Sequence, residues 1–495
     1  MTAEEQIIAD LDALTKQGQR LQVLKVLARL LKDGPSQSLR PQLARIANRN
    51  QAYVQALRIL HPLIRDDRED IAPTTSEALN IYATSLMWIG ALEESQQCLE
   101  RIKGSTDALL TEAFVYFAQW DYQKSIPVLL KYVGSPQINP YQNLVGRINL
   151  LAAYTAIGNI AQAKDVFAPL IVELKANPNY KLLYGNCLEL RAQIEIIEKS
   201  YETALAFLSE SQASLDGQPS RYLLYVNKWR AIAQLGLFPG DVSARCDLLG
   251  VKNEALKLKN WETIRDCDFH LARLNQDQDG LQRILLGTPY HGYHQRIESL
   301  FGITMQFSKD LEYCPGNPLE KPDRRGLDLN SISDNSFLNS TSWPLLQLIT
   351  KDIYRPPRMG VVFNHLYRGE YFNPFTSPQR VRNSIFRFNE WAENQTCEFR
   401  IKISDGEFQL VGPNQVSILT RQRERPVESW RAALSVFKNK NQSRSFTTAD
   451  VGKALGITPR SALVILQKAL KSRKIQKLGC GKSTRYIFFS GRRAA

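Results

Sequence analysis

The chain has 495 residues, of which 43% are hydrophobic and 23% charged. That composition is ordinary for a globular protein; it excludes wholesale disorder, a collagen-like chain and a disulfide scaffold, and at ~150 residues per domain the length allows about three domains. The net charge of +14 is confined to one end: residues 401–495 hold 19 Lys+Arg against 5 Asp+Glu, while the first 400 residues hold 44 of each.

No run approaches the ~18 consecutive apolar residues of a membrane-spanning helix. The first residues carry Glu4, Glu5, Asp10 and Asp12 and no apolar stretch, so they do not read as a signal peptide. The seven cysteines (Cys98, Cys187, Cys246, Cys267, Cys314, Cys397 and Cys480) form no CxxC pair. This argues against structural zinc and for a reducing compartment, so a cytoplasmic location with no membrane contact is expected.

From residue 1 to about 304 apolar residues recur at spacings of three and four, and the pattern is read as helix after helix. A short element returns: a turn residue, a bulky residue, then a small one. It occurs at Asn50-Gln51-Ala52-Tyr53, Gly90-Ala91-Leu92, Trp120-Asp121-Tyr122, Gly158-Asn159-Ile160 and Lys199-Ser200-Tyr201. The small residues are Ala56, Ser95, Ser125, Ala163 and Ala204, five positions after the turn residue except in the first, where Asn50 makes it six. Small side chains there let two antiparallel helices approach closely. The element resembles that of tetratricopeptide repeats, whose period is ~34 residues. The resemblance implies a helical-repeat domain over 1–304 that receives a protein or peptide partner; a non-repeating helical bundle is the alternative.

Pro, Gly, Asn, Asp and Ser crowd residues 314–344, and 305–342 is read as a loop-rich linker. Trp343–Ile353 and Gly360–Leu366 are expected to be helical. Ser377-Pro378 is read as an N-cap and first-turn proline. Behind it Val381, Ile385, Phe388 and Ala392 fall on one helical face ending near Glu393. Arg400–Ile403 and Glu407–Val411 flank Asp405-Gly406, the signal of a hairpin. Together 343–415 resembles the winged-helix effector domain of OmpR/PhoB-type transcription regulators. The resemblance rests on Leu345-Leu346, Ile349, Gly360-Val361-Val362-Phe363, Leu366-Tyr367, Ser377-Pro378, Arg380-Val381, Ile385, Arg387-Phe388 and the hairpin. It implies DNA contacts from Arg380, Arg382, Asn383 and Arg387; Phe386 and Glu390 share their face.

A helix is expected at Val427–Lys438, then a short capped one within Phe446–Leu455 and a turn at Gly456-Ile457. A longer helix, opened by Thr458-Pro459, is expected to run to about Arg473 with Ala462, Leu466 and Ala469 inward. Ile475–Leu478 and Arg485–Phe489 follow as strands. Over 425–490 this resembles the winged helix-turn-helix of bacterial transcription regulators. The outward helix face offers Arg460, Ser461, Val464, Lys468 and Lys471 for base edges and phosphates, and the hairpin offers Lys477, Lys482, Thr484 and Arg485. Val464, Ile465 and Leu470 are expected to be exposed.

Catalytic chemistry finds little footing. Gly481-Lys482-Ser483 lacks the earlier glycine of a phosphate loop, since Gln476 stands there, and no helix follows it. His291 and His294 have no third ligand nearby and read as surface or packing residues. No nucleophile–base pair is recognisable. The sequence thus predicts a mostly α protein, a helical-repeat array followed by two winged helices, that regulates transcription on double-stranded DNA. No catalytic residue, metal or cofactor is expected, and a homodimer is an admitted assembly. A scaffold subunit built like the PCI-domain proteins, from helical repeats and a winged helix, and an RNA-binding adaptor stay open as alternatives.

Overall fold

The computed structural model describes residues 3–65, 75–217, 222–305, 311–313, 324–328, 340–412, 416–420, 434, 437, 445–455, 457–471, 474–479 and 484–488. It is mostly α, with 22 α-helices among the described residues. The chain forms two compact units, Met1–Arg421 and Gln422–Ala495.

The first unit opens with α1 (Ala3–Lys16), α2 (Arg20–Asp33), α3 (Arg40–Arg49), α4 (Tyr53–Ile64), α5 (Ser76–Ile89), α6 (Leu92–Glu100), α7 (Thr106–Ala118), α8 (Tyr122–Val133) and α9 (Pro140–Ala156). It continues with α10 (Ile160–Lys175), α11 (Lys181–Ile197), α12 (Tyr201–Leu215), α13 (Tyr222–Leu237), α14 (Val242–Lys257), α15 (Trp261–Leu274), α16 (Gln278–Leu286) and α17 (His291–Phe301). Each packs chiefly on its neighbours in sequence.

One turn recurs between these helices. Gly18, Gln51, Gly90, Trp120, Gly158, Lys199, Lys259 and Gln276 all have positive φ, between 53° and 88°. The next residue's N–H bonds the carbonyl five residues back, as in Ala52 to Ala47 at 2.8 Å, Ser200 to Glu195 at 2.8 Å and Asp277 to Ala272 at 2.9 Å. This is the six-to-one hydrogen bond that closes a helix over a left-handed residue. Gln51, not Asn50, is the left-handed residue of its turn, which makes the spacing to the small residue five in every case. Ala56, Ser95, Ser125, Ala163 and Ala204 are all fully buried, and the Ser95 hydroxyl donates to the Ala83 carbonyl on the preceding helix at 2.7 Å.

After α17 come β1 (Leu311–Tyr313) and β2 (Arg324–Asp328), then α18 (Ser342–Ile349), α19 (Met359–Leu366) and α20 (Ser377–Asn394). β3 (Arg400–Ser404) and β4 (Glu407–Val411) form the expected antiparallel hairpin around Asp405-Gly406. β5 (Val416–Thr420) lies between β1 and β2, antiparallel to the first and parallel to the second. The Pro/Gly-rich stretch thus supplies strands that its composition does not announce. Ser377 is inside α20 rather than capping it; Thr376 precedes the helix, and the Ser377 hydroxyl accepts the Asn373 N–H at 2.9 Å. Val381, Ile385, Phe388 and Ala392 are buried as one stripe.

Residues 342–411 share a core with the N-terminal helices. Leu345, Phe363, Phe388 and Phe408 sit in one apolar cluster with Leu60, Leu79 and Leu86. Glu94 of α6 accepts the Phe372 N–H at 2.8 Å and the Arg65 guanidinium at 2.7 Å. Gly360 lies on the α5–α6 turn, so close that a Cβ there would stand 2.7 Å from the Ala91 nitrogen and 2.8 Å from the Ile89 oxygen. At the other end Ile353 and Tyr354 enter the cluster formed by α11–α17. Lys259 binds Asp405 of the hairpin turn at 2.6 Å.

In the second unit α21 (Thr448–Leu455), α22 (Pro459–Lys471), β6 (Ile475–Leu478) and β7 (Arg485–Phe488) surround a small core of Leu434, Phe437, Phe446, Val451, Ala462, Leu466, Ala469, Ile475 and Tyr486. β6 and β7 pair antiparallel, and Phe446 bridges to Tyr486. Of the helix expected at Val427–Lys438 only Leu434 and Phe437 are described, both helical; the rest lies outside the described residues, as does Gly456.

Candidate nucleic-acid interface

The charge follows the division into units. Gln422–Ala495 holds 17 Lys+Arg against 3 Asp+Glu, and Met1–Arg421 holds 46 of each. The whole excess belongs to the unit whose apolar core is the smaller.

α22 is positioned by its first turn. Thr458 accepts the Ser461 N–H on its hydroxyl at 3.2 Å, and the two hydroxyls are 3.0 Å apart; Pro459 follows at the first helical position, where no N–H is needed. Three fully buried residues, Ala462, Leu466 and Ala469, fix the inner face. That leaves Arg460, Ser461, Val464 and Lys468 exposed on the outer face. Thirteen residues at ~1.5 Å each make a rod about 20 Å long, of a width the major groove of duplex DNA admits. α21 starts with a reciprocal cap: Thr447 donates its N–H to Asp450 at 2.7 Å, and the Asp450 N–H donates to the Thr447 hydroxyl at 3.3 Å. The Thr447 N–H and the Thr447 hydroxyl, which donates to the same oxygen at 2.9 Å, hold the Asp450 carboxyl below the usual carboxylate range, helped by the charges of Arg485 and Lys453.

Lys477 and Arg485 are exposed on the β6–β7 hairpin, and Thr484 is half-buried. Lys482 lies outside the described residues, and so does the side chain of Lys471. Ile465 and Leu470, expected in the open, are instead half-buried and pack against the core. Among the described residues of this unit the large apolar side chains in the open are Leu463, Val464 and Leu478; sequence alternation gives Leu463 and Leu478 no distinguishing mark.

In the first unit Arg382, Asn383 and Arg387 are exposed along α20, with Phe386 and Glu390 beside them. Arg380 differs. Its guanidinium makes two hydrogen bonds to Glu370, at 2.6 and 3.1 Å, and lies 3.9 Å above the Tyr367 ring. Its charge is answered within the unit.

His294 binds the Leu285 carbonyl through its ring at 3.0 Å, as a packing residue does. Among the described residues no three His, Cys, Asp or Glu side chains gather as a metal site, and no helix is long and apolar enough to cross a membrane. No protein-family model and no curated protein matches the chain.

Proposed function

We propose that this chain is a DNA-binding transcription regulator. Its residues 425–490 act as a winged helix-turn-helix on duplex DNA, and its N-terminal helices act as a tetratricopeptide-like array that docks a protein or peptide partner or senses a signal. Residues 343–415, the OmpR/PhoB-like element, offer Arg382, Asn383 and Arg387 as a second basic face. The observation that carries the reading is the partition of charge: a neutral body of 46 against 46 charges, and a small unit of 17 against 3. A helix with polar and cationic residues on its outer face and apolar residues within, beside a basic hairpin, has the parts a groove-binding module needs.

Arg460, Lys468, Lys471, Lys477, Lys482 and Arg485 anchor phosphates in this reading, and Ser461, Val464 and Lys468 meet base edges and thymine methyls. The test is selection of bound sequences from random duplex DNA and random RNA by the full chain, with affinity measured across salt concentrations. Neutralising about six phosphates gives a log–log slope of roughly −5. Enrichment of a duplex motif with such a slope supports the reading. A slope near zero overturns it, and enrichment of RNA alone transfers it to an RNA adaptor.

One observation favours a second reading. Leu463 and Val464 adjoin on α22 and Leu478 ends β6, all more than two-fifths exposed. Apolar residues in the open are what a protein-docking surface offers, and a PCI-like scaffold subunit would use them so.

A further inference from the structure

A cavity of about 70 Å³ opens among α11, α12, α13, α15 and α17. A water needs ~10–15 Å³ measured this way, so the space suits about five water-sized groups. Three cationic side chains line it: Lys199, Arg273 and Arg296. The single carboxylate in the wall, Asp266, is already bound to Lys228 at 2.6 Å. Arg273 lies against the Phe301 ring at 4.9 Å and Arg296 near the Trp120 ring at 6.0 Å; neither forms an ion pair among the described residues. The wall is therefore positive.

Several polar atoms in that wall make no hydrogen bond, among them Arg273 Nε, Trp229 Nε1 and two groups of buried residues that matter here. His270 is 5% exposed and its Nδ1 has no hydrogen bond; Tyr293 is 1% exposed and its hydroxyl has none. A buried polar group left unsatisfied is costly, and an acceptor in the cavity satisfies the Tyr293 hydroxyl. The imidazole is neutral at physiological pH, because burial and the neighbouring Arg273 push its pKa down to about 3. Gln193, Tyr201 and Trp229 add polar atoms to the lining, and Ile297, Leu300 and Phe301 form a hydrocarbon side.

We propose that this cavity binds a small organic carboxylate, its anionic end held by Arg273, Arg296 and the Tyr293 hydroxyl and its short hydrocarbon body against Leu300 and Phe301. The site deepens the sensing role given above to the helical region and rests on that reading only for its meaning, since the binding itself is read without DNA. α15 gives the site a connection to the rest of the unit. Asp266, Phe269, His270 and Arg273 form its cavity stripe, and on the adjoining stripe Arg265 binds Asp352 and Asp268 accepts the Tyr354 hydroxyl at 3.1 Å.

The experiment is calorimetric titration of the full chain with butanoate and with butanamide, its uncharged counterpart. Butanoate is expected to saturate one site and butanamide to bind about tenfold more weakly or worse. Tyr293→Phe removes one oxygen atom that has no partner, so the unliganded protein should melt no lower than wild type while butanoate affinity falls about tenfold. Arg296→Gln, checked for folding by its melting curve, should abolish the preference for the anion. No saturation with butanoate overturns the proposal, as does equal affinity for the two compounds. Unchanged butanoate affinity in both variants overturns it too, and none of these results bears on DNA binding.

Discussion

Arg265 and Asp352 meet at 3.2 Å although 87 positions separate them in sequence. The guanidinium is wholly buried, also binds Glu262 at 2.7 Å, and is faced by the rings of Tyr290, Tyr293 and Tyr354. Asp352 in turn accepts the Tyr354 and Arg355 N–H groups at 3.0 Å each, so one carboxylate shapes the turn that enters the helical core.

Removing one partner of a buried pair strands the other. Arg265→Met is expected to destabilise the first unit by about 3–5 kcal/mol. Asp352→Asn, which keeps an oxygen for the two backbone donors, should cost less, about 1.5–3 kcal/mol. Urea denaturation of both variants checks the order; equal losses would mean that the charge itself contributes nothing.

Glu189 gives the unit a pH dependence. Burial, opposed by Lys228 and by the Gln193 amide at 2.8 Å, pushes its carboxyl up to about 7 from an ordinary 4.5. Below pH 4.5 the folded and unfolded chains are both protonated there. As pH rises from 4.5 to 7 the unfolded chain ionises first, so folding stability falls, by up to about 3 kcal/mol, and stays lowered above pH 7. His270 acts on the acid side: its depressed pKa gives stability that is present above 6.5 and lost as pH falls toward 3. Glu189→Gln should therefore match wild type near pH 4 and exceed it by up to about 3 kcal/mol at pH 8. Denaturation curves at several pH values decide this, and a constant difference would sink the assignment.

Gly360 tests the joint between α19 and the α5–α6 turn. A methyl group there meets two backbone atoms below 3 Å, neither of which can swing aside. Gly360→Ala should cost about 1–3 kcal/mol and expose Trp88, whose carbonyl accepts Arg358 at 3.0 Å, to faster hydrogen exchange around it. Unchanged exchange would show that the joint yields freely.

Anchoring and reading separate by element. Arg485→Ala is expected to weaken binding to all duplex sequences alike and make the salt slope shallower by about one unit. Lys468→Ala or Val464→Ala should shift sequence preference, at about 1–3 kcal/mol for particular base pairs. Arg380→Ala, whose charge is engaged by Glu370, should lower the melting temperature and leave DNA affinity alone. Selected-site competition at two salt concentrations reads all of these; a change of motif from Arg485→Ala and none from Lys468→Ala would reverse the roles.

Sequence periodicity carried much of this. The stripe Val381, Ile385, Phe388 and Ala392, the inner face Ala462, Leu466 and Ala469, and the five small residues are all buried, because local spacing alone decides which side of a helix is apolar. What the sequence hid is non-local. Nothing in Phe372 announces Glu94, 278 positions earlier, and Arg265 looks like any surface cation on a polar helix. Short strands such as Leu311–Tyr313 have too few residues for alternation to register, and their partner lies beyond residue 415. The cavity was equally unreadable, since its walls come from five helices and its signal is the absence of partners.

The joint between residues 342–411 and α3–α6 has a consequence for synthesis. A ribosome adds ~5–20 residues per second, so about 15 to 55 seconds pass between the making of Glu94 and of Phe372. Through that interval Leu60, Leu79 and Leu86 await the Phe363, Phe388 and Phe408 that complete their cluster. The first half of the chain thus emerges with an unfinished apolar face, which places a chaperone's opportunity, and the hazard of premature association, before residue 408 leaves the exit tunnel.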